Sequence, residues 1–177
     1  MSLKKNSIYV IAEIGVNHNG SLKLAKKLID KAIQSGADAV KFQTFDFKYQ
    51  LNPKFASKKA INFTKLLQLR FKDFLNLKKY CDLKKIDFLS TPFDPISALF
   101  LNKINVKSFK IASPSIVDYQ LLSQVSKFKK KVLISTGMSN KEEILKALKY
   151  FNIKNVTLLY CVSLYPTPYE KIDLNNI

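Results

Sequence analysis

Residues 108–113 have the sequence SFKIAS, which places a lysine in the middle of a short apolar strand. Side chains alternate between the two faces of a strand, so Lys110 points away from the face that carries Phe109 and Ile111. Its neighbours on its own face are small, which leaves room for the ammonium group. A buried ammonium group needs partners, so this strand predicts a polar site in the interior of the protein.

Two other apolar stretches each carry one charge near the C-terminal end of a predicted strand. Residues 9–15, YVIAEIG, contain Glu13, and residues 39–43, AVKFQ, contain Lys41. In β/α barrels and in open α/β sheets, ligands bind at the carboxyl ends of the strands. The three charged residues are therefore predicted to belong to one site.

Strands and helices alternate strictly along the chain, which predicts a parallel sheet with right-handed crossovers. Polar residues inside successive strands favour a barrel over a doubly wound sheet, because a barrel encloses one face of its strands. A complete barrel has eight units and about 250 residues, so the sequence predicts an α/β fold with about six of the eight units of a (β/α)8 TIM barrel. The predicted strands are residues 8–15, 38–44, 87–91, 108–113, 131–135 and 156–162.

Apolar spacing and capping residues predict the helices between these strands. Ser21 and Asp118 are good N-cap residues. Ser139 and Glu142 are predicted to form a capping box, and Met138 is predicted to pack against the helix that follows it. One helix before the third strand is predicted to bury Leu66, Phe74, Leu75 and Cys81.

Composition is typical of one folded domain. The chain has 177 residues, of which 47% are apolar, and no apolar run approaches the roughly 20 residues of a membrane helix. The apolar run near the N-terminus is broken by Glu13 and lacks a cleavage site of small residues, which predicts a cytoplasmic protein without a membrane partner. Cys81 and Cys161 are far apart in sequence and are predicted to be reduced thiols.

The net charge of +17 invites a nucleic-acid interpretation. However, Arg70 is the only arginine among the 30 basic residues, and proteins that read nucleic acids favour the arginine fork. The lysines are scattered over the polar faces of predicted helices, where they supply only non-specific attraction. No specific nucleic-acid partner is predicted.

Polar side chains at the predicted strand ends combine cations and hydroxyls around one acid. Such a set suits a substrate with phosphate and carboxylate groups, because ammonium groups supply charge and hydroxyls donate to the remaining oxygens. The acid can orient a hydroxylated partner or move a proton. The candidates are Glu13, Asn17, His18, Lys41, Gln43, Ser90, Thr91, Asp94, Lys110, Ser113, Ser135, Thr136, Ser163 and Tyr165.

Structural explanations stay open for the most prominent of these residues. Lys41 and Lys110 can lie at solvated edges, although both strands are otherwise apolar. Glu13 can form a structural ion pair with one of the lysines. His18 lies in an Asn-rich turn and is interpreted as a hydrogen-bonding turn residue rather than as a metal ligand.

Six motifs, in this order, cover nearly the whole chain. Together they resemble the sialic acid synthase family, which includes N-acetylneuraminate synthase and its pseudaminic and legionaminic acid relatives. The motifs are AEIGVNHNG at residues 12–20, VKFQ at 40–43, FLSTPFD at 88–94, FKIAS at 109–113, ISTGM at 134–138 and YPTP at 165–168.

The resemblance implies a transferase that forms a carbon–carbon bond on a (β/α)8 barrel. The enol carbon of phosphoenolpyruvate, the cosubstrate, attacks the open-chain aldehyde of an N-acetylated amino sugar such as N-acetylmannosamine or a related hexose. Water adds at the neighbouring carbon, phosphate leaves, and a nonulosonic acid remains. The resemblance also implies a homodimer and a divalent metal, Mn²⁺ or Mg²⁺, that polarises the aldehyde.

Motif matching assigns a role to each site residue. Glu13 would contact the sugar hydroxyls and assist proton transfer, Lys110 is grouped with it as catalytic, and Tyr165 would line the sugar side. The substrate-binding residues implied by the resemblance are Lys41, Gln43, Thr91, Lys110, Ser113, Ser135, Ser163 and Tyr165.

Two departures from the family pattern are visible. After the lysine of the fourth strand, residues 113–115 read SPS, where the family has an acid-bearing triplet that reaches the sugar, so the identity of the amino sugar stays open. The metal-binding histidines and the antifreeze-like domain of the family lie C-terminal to the matched region. Residues 1–177 are therefore expected to be the N-terminal portion of a TIM-barrel synthase domain, inactive alone, without the metal ligands, the last barrel strands or the antifreeze-like domain.

Two other functions remain as alternatives. A Schiff-base aldolase would use Lys110 as its nucleophile, which requires a desolvated lysine with a lowered pKa. A basic non-catalytic protein would bind nucleic acid or another acidic polymer through its lysines.

Overall fold

Parallel strands and helices alternate along the described residues, 8–52 and 54–176 of a computed structural model. The chain divides into two compact units, the first ending at Val106 and the second beginning at Lys107. Each unit holds three strands, so the predicted α/β fold with six strand repeats is confirmed. The strands are β1 Ile11–Gly15, β2 Ala39–Thr44, β3 Asp87–Pro92, β4 Ser108–Ile111, β5 Lys131–Ser135 and β6 Val156–Leu159.

Seven helices are found among these residues, and most of them start at a side chain that accepts a backbone N–H. Ser21 accepts from Leu24, and Asp118 accepts from Leu121, which confirms both predicted N-caps. The helices are α1 Leu22–Gln34, α2 Phe47–Gln50, α3 Lys58–Leu67, α4 Phe71–Lys84, α5 Pro95–Lys103, α6 Tyr119–Ser126 and α7 Lys141–Leu148.

In the first unit, β1, β2 and β3 pair in parallel in chain order. Phe42 of β2 lies at the centre of its core, with no exposed surface. Its ring stacks on Phe88 with centroids 5.5 Å apart and meets the edge of Phe74 at 6.3 Å. Offset and edge-on arrangements of this kind suit the charge distribution of aromatic rings.

In the second unit, β4, β5 and β6 also pair in parallel in chain order. Helix α6 buries Leu121, Leu122 and Val125, as its apolar spacing predicts. Phe128 stacks on Phe109 of β4 with ring centroids 5.4 Å apart. In β4, Phe109 therefore makes an aromatic contact, and the next residue, Lys110, points to the other face of the strand.

Three details of the predicted helices are wrong. Leu66 is 67% exposed, because α3 ends at Leu67 and a new helix starts where Asp73 accepts the backbone N–H of Arg70. The helix after β5 starts one residue later than predicted: its capping box joins Asn140 and Glu143. The predicted box of Ser139 and Glu142 is therefore wrong, and Met138 does not pack but is 79% exposed.

Strand lengths differ from the prediction mainly at the C-terminal ends. Strand β4 stops at Ile111 because a 3-10 turn, Ser113–Val117, begins two residues later. Strand β6 stops at Leu159 rather than at residue 162. Within residues 8–52 and 54–176, no helix is both long enough and apolar enough to cross a membrane.

Candidate active site

Lys41 lies on the face of β2 that is partly exposed to solvent. Lys41 and Gln43 are half-buried, whereas Val40, Phe42 and Thr44 on the opposite face are buried. This alternation follows from the two-residue period of a strand. The structure thus confirms that the lysine is not at a solvated edge, since its side chain is only 13% exposed.

Glu13 and Lys41 form an ion pair. The two residues are register neighbours on the parallel strands β1 and β2. The Lys41 Nζ also lies 3.5 Å from the Oγ1 of Thr91. Because the Glu13 side chain is 50% exposed, water screens the pair, and such a pair contributes about 1 kcal/mol or less to stability. Glu13, Lys41, Gln43 and Thr91 are called the Lys41 cluster below.

Gly15 allows the carboxylate and the amide of this cluster to approach the main chain. It has a φ of +55° at a break in the β1–β2 register. A Cβ added there would lie 3.3 Å from the Oε1 of Glu13 and 3.6 Å from the Nε2 of Gln43. Glycine suits this position for two reasons: it tolerates the left-handed backbone, and it has no side chain to crowd the Glu13 and Gln43 side chains.

Lys110 lies in β4 and is buried, with 8% of its surface exposed. Its Nζ donates to the Oγ of Ser135 at 2.6 Å and to the carbonyl oxygen of Ile111 at 2.8 Å. Hydrogen bonds with an ionised donor are the stronger kind and hold the ammonium group in one place. The prediction that this lysine lies in the interior is confirmed.

Cys161 adds a second donor to Ser135. Its Sγ lies 3.3 Å from the Oγ of Ser135, within reach of a weak thiol hydrogen bond. A serine oxygen has two acceptor positions and one hydrogen to donate. When Lys110 and Cys161 occupy both acceptor positions, the Ser135 hydroxyl hydrogen points elsewhere and can serve a ligand oxygen. Lys110, Ser135 and Cys161 are called the Lys110 cluster.

Two further serines of the second unit approach each other around Gly137. The Gly137 N–H donates to the Oγ of Ser113 at 3.1 Å. The Oγ atoms of Ser113 and Ser163 both lie within 3 Å of the point where a Cβ of Gly137 would be. Ser113 and Ser163 are called the serine pair.

His18 has a structural place in the turn after β1. It is fully buried, and its Nδ1 accepts the backbone N–H of Gly20 at 3.1 Å. Burial lowers the pKa of the imidazole, because a buried site disfavours the charged form. The interpretation of His18 as a hydrogen-bonding turn residue is confirmed.

Three other strand-end candidates make structural hydrogen bonds. The Oγ of Ser90 lies 2.7 Å from the Oγ1 of Thr44, and the Oγ1 of Thr136 donates to the carbonyl of Leu159. The buried carboxylate of Asp94 caps α5: it accepts from the N–H and the hydroxyl of Ser97, both at 2.7 Å, and from the N–H of Asp46 at 3.1 Å.

A family model described as the NeuB family matches residues 28–177. The chain belongs to the NeuB family. It is 43% identical to the N,N'-diacetyllegionaminic acid synthase of Campylobacter jejuni, over 93% of this chain and 54% of the relative. It is 38% identical to the protein of the same name from Legionella pneumophila, over 94% of this chain and 52% of the relative. The chain thus spans about half the length of the curated relatives it matches.

A solved NeuB-type structure has the same fold over this chain. It is the N-acetylneuraminic acid (sialic acid) synthetase of Leptospira borgpetersenii, crystallised in complex with citrate. The TM-score is 0.90 at 36% identity, and the match covers 97% of this chain and 60% of that chain. The predicted partial TIM barrel and the predicted resemblance to sialic acid synthases are both confirmed.

The structure brings predicted site residues together within each unit, and their assignment to one common site stays a prediction. Glu13, Lys41, Gln43 and Thr91 come together in the first unit, and Lys110 and Ser135 in the second. Tyr165 is 97% exposed, and its place on the sugar side stays a prediction. Ser115, which stands where the resemblance leads one to expect an acid, is buried in the turn after β4.

The sequence alone predicts only a reduced thiol at Cys161 and assigns no role to Gly137, yet both residues lie against serines of the second unit. Cys161 stands two residues before Ser163 in the segment that follows β6. Gly137 follows two hydroxyl residues at the end of a strand, where close approach to a ligand commonly requires glycine.

Proposed function

We propose that this chain contributes the phosphoenolpyruvate-binding part of a nonulosonic acid synthase. The reaction joins phosphoenolpyruvate to an N-acetylated amino sugar and releases phosphate. The observation that carries this proposal is the buried Lys110 ammonium group, fixed by hydrogen bonds to Ser135 and to the Ile111 carbonyl. Family membership and the names of the relatives, which are legionaminic acid synthases, support it.

In the second unit, the hydroxyls and the ammonium group suit the oxygens of a small anion. Lys110 supplies positive charge in a buried place, where water screens it little. Ser135, whose two acceptor positions are taken, donates its hydroxyl hydrogen to the anion. The serine pair donates to further oxygens.

In the first unit, Lys41 supplies a second cation, and Glu13 acts on the sugar. The Glu13–Lys41 ion pair is weak because the carboxylate is half exposed, so a substrate anion can take the place of the carboxylate at low cost. Glu13 then accepts hydrogen bonds from sugar hydroxyls and holds or moves a proton. Gln43 and Thr91 complete the set of polar contacts.

The proposed bond changes balance without any oxidation or reduction. The bond from the phosphoenolpyruvate enol carbon to the aldehyde carbon forms, and the aldehyde oxygen takes up a proton. Water adds to the carbon that bears the phosphate ester, and the carbon–oxygen bond to phosphate breaks. The product is a 2-keto acid, and Tyr165 is assigned to the sugar side of this reaction.

A divalent metal is expected for the NeuB family, but the described residues do not fit one. Among residues 8–52 and 54–176, no three His, Cys, Asp or Glu side chains come together. His18, the single histidine, accepts a backbone N–H at Nδ1, and its buried Nε2, which has no hydrogen-bond partner among the same residues, belongs to no such group of three. The chemistry assigned to this chain is therefore anion binding, orientation and proton handling.

The two alternative functions are less well supported by the contacts of Lys110. A Schiff-base lysine must lose its proton before it attacks a carbonyl. The Lys110 Nζ is held by hydrogen bonds to two oxygens, which suits a fixed anion-binding group better than a nucleophile that must move onto a carbonyl carbon. A protein that binds acidic polymers contacts them through exposed lysines, and Lys110 is buried.

Direct ligand binding tests the proposal. We expect titration calorimetry with the 177-residue chain to show saturable binding of phosphoenolpyruvate that is tighter than binding of pyruvate, which lacks the phosphate. Borohydride should trap no pyruvate adduct on Lys110. An adduct on that residue would favour the aldolase, and equal binding of both compounds with a steep salt dependence would favour the acidic-polymer binder.

A further inference from the structure

Gly137 lies directly against the serine pair. A Cβ built on it would stand 2.5 Å from the Oγ of Ser163, 2.9 Å from the Oγ of Ser113 and 3.2 Å from the carbonyl oxygen of Cys161. Real Cβ atoms essentially never lie within 3.0 Å of another heavy atom. Both hydroxyls therefore occupy space that any side chain at this position would take.

The backbone does not by itself require glycine at this position. The described glycines with positive φ are Gly15, Gly20 and Gly36, and Gly137 is not among them. Alanine can therefore adopt the Gly137 backbone without the strain of a left-handed conformation. Gly36 is the opposite case, with a φ of +81° and open space around the added Cβ.

The hydrogen bond between Gly137 and Ser113 also fixes the direction of one hydroxyl. Ser113 accepts the Gly137 N–H at 3.1 Å, so its own hydrogen points away from that N–H and is available to a ligand. Ser163 lies against the same glycine, within 3 Å of the same point. Two hydroxyl donors that converge on one region match the neighbouring oxygens of a phosphate or a carboxylate.

We propose that Gly137 is a positioning residue for the anion: its missing side chain and its N–H together hold the Ser113 and Ser163 hydroxyls where they bind phosphoenolpyruvate. This inference rests on the proposed function. Gly137 itself contributes no side-chain contact. A methyl group here would push the Ser163 hydroxyl outward by roughly 1 Å, a displacement that in other enzymes costs about 100-fold when it affects reacting groups.

The test compares four proteins by titration with phosphoenolpyruvate: the unaltered chain, Gly137→Ala, Ser163→Ala and the double variant. We expect Gly137→Ala to bind at least about 10-fold more weakly, since two hydrogen bonds are misaligned. In the Ser163→Ala background, the closest collision is absent, so adding Gly137→Ala should weaken binding by only about 3-fold or less. Gly36→Ala is the matched control, because it strains the backbone and lowers the melting temperature without weakening binding.

Each outcome decides one point. If Gly137→Ala binds as tightly as the unaltered chain, or if its effect is as large with Ser163→Ala as without it, the positioning role is overturned. If Gly137→Ala does not fold, recovery of folding in the double variant supports the collision, and failure of the double variant to fold overturns it. If the unaltered chain binds no phosphoenolpyruvate, the proposed function fails and this inference fails with it.

Discussion

Lys41 and Lys110 are both strand lysines, yet they are held in opposite ways. Lys41 pairs with a carboxylate that is half exposed to water. Lys110 is buried and donates to a hydroxyl and to a main-chain carbonyl, groups that stay in place. On the proposed function, Lys110 is fixed before a ligand arrives, whereas Lys41 would exchange its carboxylate partner for the ligand. We therefore expect the Lys110 cluster to dominate anion affinity and the Lys41 cluster to tune it.

The largest effect is expected from Lys110→Met. This change removes a buried charge and leaves the Ser135 hydroxyl without its ammonium donor, and losses of this kind cost about 100-fold or more in affinity. Titration with phosphoenolpyruvate measures the loss. Lys131→Met, at the exposed start of β5, is the matched control and should bind normally. Affinity within about 3-fold of the unaltered chain in folded Lys110→Met would reverse the ranking of the two lysines.

Lys41→Met should weaken phosphoenolpyruvate binding by about 10-fold, the value of one charge-assisted hydrogen bond. Glu13→Gln sharpens the comparison, because it removes the competing carboxylate while it keeps the size of the side chain. We expect Glu13→Gln to bind the anion as well as or better than the unaltered chain. Equal losses in Lys41→Met and Glu13→Gln would mean that the ion pair acts as a rigid unit, like the Lys110 cluster.

Lowering the pH should destabilise the first unit through His18. Burial lowers the pKa of this imidazole, so the folded protein stays neutral there while the unfolded chain takes up a proton below its ordinary pKa of about 6.5. The contribution of His18 to the free energy of unfolding should then be at its maximum above about pH 6.5. Below that pH the free energy of unfolding should fall by about 1.4 kcal/mol per pH unit, until the pKa of the folded protein is reached.

Urea unfolding at several pH values measures this slope, and His18→Gln should flatten it. Amide exchange locates the effect, which should appear in α1 and β1 of the first unit and not in the second unit, which has no histidine. An unchanged slope in His18→Gln would assign the pH dependence to carboxylates instead.

The smallest effect is expected from Cys161→Ala. The thiol is a weak donor to Ser135, so its removal should weaken phosphoenolpyruvate binding by about 3-fold. Cys161→Ser restores a hydroxyl donor and should recover the lost affinity. No difference between the alanine and serine variants would remove Cys161 from the Lys110 cluster and leave Lys110 and Ser135 as its only members.

Features that depend on spacing along one element were predictable from sequence. The buried faces of α6 and the placement of Lys110 inside an apolar strand follow from the periods of helices and strands. The N-caps at Ser21 and Asp118 follow from local side-chain chemistry. The prediction was wrong at Leu66 because a single capping interaction between Arg70 and Asp73 divides what reads as one amphipathic helix.

Features that depend on packing between elements were not predictable. The contacts of Gly137 and the hydrogen bond from the Cys161 thiol to Ser135 connect the end of β5 with the segments that follow β4 and β6. These segments are far apart in sequence. The sequence left open whether Glu13 forms a structural ion pair. The β1–β2 register pairs Glu13 with Lys41 and shifts only after Glu13, and such pairing between strands cannot be read from the spacing along either strand alone.

Asp94 has a consequence for engineering the loop that follows β2. Its carboxylate accepts the N–H of Ser97 at the start of α5. It also accepts the N–H of Asp46, at the start of the loop that follows β2. The anchor of that loop therefore belongs to a different segment of the chain. We therefore expect that the loop residues after Lys48 can be replaced by those of another family member, because the hydrogen bond between Asp94 and Asp46 still fixes where the loop begins.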